Sequence, residues 1–266
     1  MTVHFDEKSS NVSSLHLESP IVLILLGASN LSRGCFAFSR YMKASLYPRP
    51  VEVLIASGPG RGYYASGGLL NVNYSPICSS DIFEVAQKKA ESGFQIVALV
   101  TDMGNDIMYS VSAEKLIATT QQVFDRLRSM NAEVFYTTLP VAFEKGVRPL
   151  WFYILRSLLL PFSRVSYDEA TAGISTVNQF LRASVEEHRH LISSMDRYLG
   201  YDEIHYGWLR AHSAWSHVAR VMLDALGVET RKEITLPKML QSYGQEFQQV
   251  VCTDMLGFKN KNPEHY

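Results

Sequence analysis

Long apolar runs are scarce in this 266-residue sequence. The first, Ile21–Leu26, reads IVLILL and falls far short of the roughly 20 residues that span a bilayer. A second, residues 147–162, reads VRPLWFYILRSLLLPF, but Arg148 and Arg156 interrupt it and Pro149 and Pro161 bound it. No integral membrane segment is expected. Residues 147–162 read instead as a buried or dimer-facing helix, or as an apolar flap over a pocket. The N-terminal stretch is polar and charged and lacks an apolar h-region, so no secretory signal is expected. Cysteine is rare: Cys35, Cys78 and Cys252 are odd in number and far apart, which fits a reducing compartment better than a disulfide framework. The expected location is cytoplasmic. Excess charge of either sign is also missing, with 25 Lys and Arg against 26 Asp and Glu. No global field draws such a chain to nucleic acid. Repeats, low-complexity tracts and dividing linkers are absent too.

What remains is a chain with 47% hydrophobic residues, enough to bury a large core. Short runs rich in Val, Ile and Leu recur at Ile21–Leu26, Val51–Ala56, 96–101 and 133–138, each ending in polar or Gly-rich residues. Strands apolar on both faces belong in a sheet covered on both sides. Helical patterns alternate with them. Ser79 or Ser80 caps a helix carrying Ile82, Phe83 and Ala86, and Ser112 caps another bearing Leu116, Val123 and Phe124. A third begins near Asp168, and a last runs from Trp208 to Leu226 before Gly227. Alternating strands and helices predict βαβ units, hence an α/β chain with a three-layer α/β/α sandwich and a mostly parallel central sheet. The expected layout is a tail over residues 1–17, one domain over 18–228, and an extension over 229–266. The extension, or the apolar segment 147–162, is also where a homo-oligomer would form.

Ligands of open α/β sheets bind beyond the carboxyl ends of the strands. Gly27-Ala28-Ser29-Asn30 follows the first strand, Ser57-Gly58-Pro59-Gly60-Arg61-Gly62 the second, and Asp102-Met103-Gly104-Asn105-Asp106 the third. Asp202-Glu203-Ile204-His205 precedes the last helix. These are the parts of an acyl-transfer site. A serine hydroxyl needs a base, and His205 can take its proton. Asp202, three residues earlier, can hold the other ring nitrogen and stabilise the imidazolium. The Ser29 backbone N–H, a glycine N–H of the second loop and the Asn105 amide can serve the oxyanion. Each piece alone has a plainer reading: a phosphate-binding turn at Ser29, a turn with a helix cap at Asn105-Asp106, an N-cap at Asp202. A dinucleotide loop fits poorly, because 58–62 reads Gly-x-Gly-x-Gly. Metal ligation fits poorly as well. His212 and His217 lie about 140° apart on one helix, and no cysteine stands at zinc-like spacing to the histidines.

Together, in this order, the four segments resemble the blocks of the SGNH (GDSL) hydrolase superfamily over about residues 20–226. The resemblance implies a flavodoxin-like sheet and a serine esterase, lipase or acyltransferase acting on a small-molecule ester without cofactor or metal. It implies Ser29, Asp202 and His205 as catalytic residues, and Ser29, Gly60 and Asn105 as the oxyanion hole, with Gly60 preferred over Gly62. Ala28 and Asn30 depart from the usual Asp and Leu of the first block, at positions that brace the turn. Asp106 reads as structural. The stretches 63–78 and 141–167 should line the pocket, with Tyr63 and Trp151 as substrate contacts. Arg61 meets an anionic substrate group or braces its loop. The other reading of the chain is a non-catalytic binding module on the same fold.

Overall fold

The computed structural model describes residues 19–68, 72–140, 149–160, 162–230, 232–257 and 264–266. Strand β1 (Ile21–Leu26) is buried along its whole length. It leads into helix α1 (Ser29–Leu46), then β2 (Val51–Ala56), α2 (Ile82–Glu91), β3 (Gln95–Val100), the single turn α3 (Asn105–Met108), α4 (Ala113–Ser129) and β4 (Glu133–Thr137). Then come α5 (Pro149–Leu159), α6 (Tyr167–Ala183), β5 (Arg189–Ile192), α7 (Ala211–Ala225), α8 (Leu236–Gln248) and the two-residue β6 (Glu264–His265).

The sheet order is β5-β4-β3-β1-β2-β6, with every neighbouring pair parallel. Because side chains alternate along a strand, β1 feeds two cores. Val22, Ile24 and Leu26 pack with Phe83, Phe124 and Val177 of α2, α4 and α6. Ile21, Leu23 and Leu25 pack on the other face with Phe38 of α1, Trp215 of α7 and Met239 of α8. This is the three-layer arrangement the strand and helix patterns predict. The chain steps from β1 to β2 on one side and returns to β3 on the other. Strand order therefore reverses between β1 and β3, and the crevice above those two strands is where a ligand can enter.

Local sequence explains the helix starts. Ser112 Oγ accepts from Lys115 N at 3.2 Å, and Ser166 with Glu169 forms a reciprocal capping box at α6. Two elements differ from the sequence expectation. Strand β5 has no apolar run to announce it, because Arg189 and His190 occupy half of a short strand at the sheet edge. Helix α7 starts at Ala211, not Trp208. The Trp208 ring leaves the core stripe, remains 64% exposed, and packs on Tyr243 of α8 with ring centroids 4.8 Å apart. Helix α5 falls within the apolar run 147–162, burying Phe152 and leaving Leu150 exposed. Among the described residues no helix is long and apolar enough to cross a membrane.

Candidate active site

Only Gly27 and Ala28 separate β1 from α1. A Cβ on Gly27 would lie 2.9 Å from Thr101 Cγ2 and 3.0 Å from Leu31, so the turn tolerates glycine there and little else. It delivers Ser29 to the first position of α1, at the switch point. The first N–H groups of a helix need acceptors from outside it, and Ala28 at the cap position has none to offer. Asp102, just past β3, reaches across: its Oδ2 accepts from Leu31 N at 2.9 Å and Ala28 N at 3.3 Å. Asp102 has a left-handed backbone, φ 58°, which aspartate adopts more readily than most residues.

Ser29 Oγ lies 2.9 Å from His205 Nε2, and His205 Nδ1 lies 2.6 Å from Asp202 Oδ2. Asp202 Oδ1 accepts from the backbone N–H of Ile204 at 3.2 Å and of His205 at 3.0 Å, so the carboxylate holds both the ring and its main chain. Burial works against the Asp202 charge, but these hydrogen bonds and the adjacent imidazole outweigh it and hold the carboxyl down at about 2. Asn30 locks the loop from below. Its Nδ2 donates to Asp102 Oδ1 at 3.1 Å and to Ile204 O at 3.2 Å, while its Oδ1 accepts from Tyr206 N at 2.9 Å. It thus grips the residues on both sides of His205.

The second loop is shaped by Asp106, which is fully buried. Its carboxylate accepts from the backbone N–H of Tyr63 at 2.6 Å, Tyr64 at 2.9 Å and Ala65 at 2.8 Å. Burial raises the Asp106 pKa despite those bonds. Gly60 takes φ +78°, and a Cβ there would stand 3.0 Å from the Gly68 backbone. Tyr109 Oη donates to Gly60 O at 2.6 Å, and Asn105 Nδ2 donates to Arg61 O at 3.0 Å. Pro59, Gly60, Gly104 and Asn105 line one cavity of about 430 Å³ with Ser29 and His205. Gly62 is not on that wall; a Cβ there would meet Asp106 Oδ1 at 2.8 Å.

Two of the expected substrate contacts turn the other way. Arg61 is 2% exposed: its guanidinium donates to Ser75 O at 2.9 Å and to the Tyr266 main-chain oxygen, and lies over the Tyr74 ring. It braces the loop and has no face on the cavity. Tyr63 is fully buried, its hydroxyl shared between Leu26 O and Thr101 O, both at 2.9 Å, at the ends of β1 and β3. Trp151 belongs to α5, but its side chain lies outside the described residues, as do residues 141–148. The cavity wall has instead Met108, Leu139, Phe152, Arg156 and Ile174, from the sheet face covered by α5 and α6, and Arg33, Trp208, Tyr243, Glu246 and Phe247, from the face covered by α1 and α8. Sequence reasoning had no handle on the residues of α8, since nothing local says which face of that helix meets the cavity. Asn30 did leave a signal: a polar residue where an apolar one is usual.

No protein-family model matches the chain, and no curated protein does. Among solved structures it is similar to one titled TesA, at 13% identity and a TM-score of 0.46, covering 77% of this chain and 99% of that one. It is also similar to a member of the lipolytic protein G-D-S-L family from Veillonella parvula DSM 2008, at 14% identity and a TM-score of 0.45, covering 80% and 100%. A family 3 carbohydrate esterase from Clostridium thermocellum follows at 10% identity and a TM-score of 0.36, covering 77% and 94%.

Proposed function

We propose that the protein is a serine hydrolase that cleaves a carboxylic ester. The observation that carries this reading is the unbroken chain Ser29 Oγ, His205 Nε2, His205 Nδ1, Asp202 Oδ2, with contacts of 2.9 and 2.6 Å at the wall of a cavity. His205 takes the Ser29 proton as the oxygen attacks the ester carbonyl, and Asp202 stabilises the imidazolium. The oxyanion formed receives hydrogen bonds from the Ser29 and Gly60 backbone N–H groups and from the Asn105 amide. Collapse of this intermediate expels the alcohol, protonated by His205, and leaves an acyl-serine. Water, deprotonated by the same histidine, then releases the acid.

The test is hydrolysis of p-nitrophenyl esters from acetate to dodecanoate by wild type and Ser29→Ala, alongside fluorophosphonate labelling. Activity and labelling that both vanish in Ser29→Ala are expected. A well-folded wild type that neither turns over any ester nor takes the label would favour the binding module instead.

A further inference from the structure

The direction of proton transfer orients a substrate in the cavity. His205 must protonate the departing oxygen, so that oxygen lies within hydrogen-bond reach of Nε2 and the alcohol extends past the histidine. The rest of the lining, Met108, Leu139, Phe152 and Ile174, is apolar apart from Arg156, whose guanidinium donates to Val165 O and lies over the Tyr153 ring, and this is the wall left for the acyl substituent. The wall on the histidine side has a different chemistry, and α8 builds much of it. Arg33 of α1 and Glu246 of α8 both line the cavity there, yet no ion pair of 4.0 Å or less joins them. Glu246 is largely withdrawn from water; burial raises its pKa, against the pull of Arg33, a Ser32 hydrogen bond and His205. The packed rings of Trp208 and Tyr243 stand beside the two charges.

That combination discriminates. An anionic alcohol would gain from Arg33 and lose to Glu246, and a cationic one the reverse. A hydroxyl satisfies both, accepting from a guanidinium and donating to a carboxylate, and the ring faces suit the C–H surface of a compact polyol. We propose that Arg33, Glu246 and the Trp208–Tyr243 pair form a leaving-group subsite that selects esters of a neutral, polyhydroxylated alcohol, of the glycerol or sugar kind, with an apolar acyl chain. This deepens the ester-hydrolase reading and rests on it.

Three octanoate esters test the subsite in the full-length protein: 6-O-octanoylglucose, 1-octanoylglycerol and ethyl octanoate. Wild type should favour at least one hydroxylated ester over the ethyl ester by ~10-fold or more in kcat/KM, and the better of the two identifies the alcohol. In Glu246→Gln and Arg33→Met that preference should fall by ~10-fold, mainly through KM for the hydroxylated ester. A wild type indifferent to the alcohol overturns the proposal without any variant. Equal losses on all three esters overturn it too, since they would mark a purely structural role. Failure of the parent reading is a separate result: no ester turned over and no label on Ser29.

Discussion

Replacing Asn30 with leucine would separate the positioning of His205 from its chemistry. Asn30 is 8% exposed, and leucine keeps its branched shape but is the larger side chain, so an overpacking cost of about 1–3 kcal/mol comes on top of the lost hydrogen bonds. Three hydrogen bonds disappear: to Asp102 Oδ1, to Ile204 O and from Tyr206 N. The two neutral bonds are worth about 1 kcal/mol each and the one to the carboxylate about 2 kcal/mol, so roughly 4 kcal/mol is at stake. At about 2–4 °C per kcal/mol for a chain of this size, the melting temperature should fall by roughly 8 °C or more. Released from Asn30, the loop 204–206 can drift relative to Ser29, and a displacement near 1 Å costs on the order of 10²-fold in turnover. The assay is kcat on a p-nitrophenyl ester at a temperature where the variant is folded, paired with the rate of fluorophosphonate labelling of Ser29. Both should fall together while KM holds. A variant with a lower melting temperature but undiminished kcat and labelling would show that Asn30 supports the fold alone.

Three further expectations follow from the same geometry. Asn105→Ala should lower kcat by roughly 10²-fold or more with KM little changed, the role proposed for its amide being to act on a charge present only in the transition state; unaltered kcat would move that role elsewhere. Gly60→Ala must hold alanine at φ +78° and 3.0 Å from the Gly68 backbone, so it should cost about 1–2 kcal/mol in a denaturant melt and depress kcat as well. Asp202 is held at about 2, below the unfolded value near 3.9, so its contribution to stability is present above about pH 4 and lost as pH falls through about 2. The gap in melting temperature between wild type and Asp202→Asn should therefore shrink below pH 4, and a gap constant down to pH 2 would contradict the assignment.

How much of the site was legible depended on how local its causes are. Strand ends are marked by the change from IVLILL to Gly27-Ala28-Ser29, so the residues beyond β1, β2 and β3 can be read in one dimension. The pairing of Asp202 with His205 is local as well, three residues apart within one turn. Side-chain direction in a loop is not local. Arg61 and Tyr63 sit in the right segment, but the Tyr63 hydroxyl turns to Leu26 O and Thr101 O and the Arg61 guanidinium to Ser75 O and the Tyr266 main-chain oxygen, away from the cavity. Trp208 fits a helical period with Ala211 and Trp215, yet the partner it packs on, Tyr243, lies in another element.

The sequence by itself determined the alternation of strands and helices, because burial on both faces demands continuous apolar strands and covering helices of opposite period. It also determined which residue types stand beyond each strand. Tertiary structure alone decided the strand order, and with it that β1 and β3 are neighbours. That adjacency lets Asp102 take up the helix cap that Ala28 cannot supply, and Asn30 then ties the same carboxylate to the His205 loop. Tertiary structure likewise decided that α8 lies over α1 and brings Glu246 to the cavity. Hydrogen bonds between residues more than 70 positions apart depend on the packing of the whole chain, and no window of sequence contains both partners.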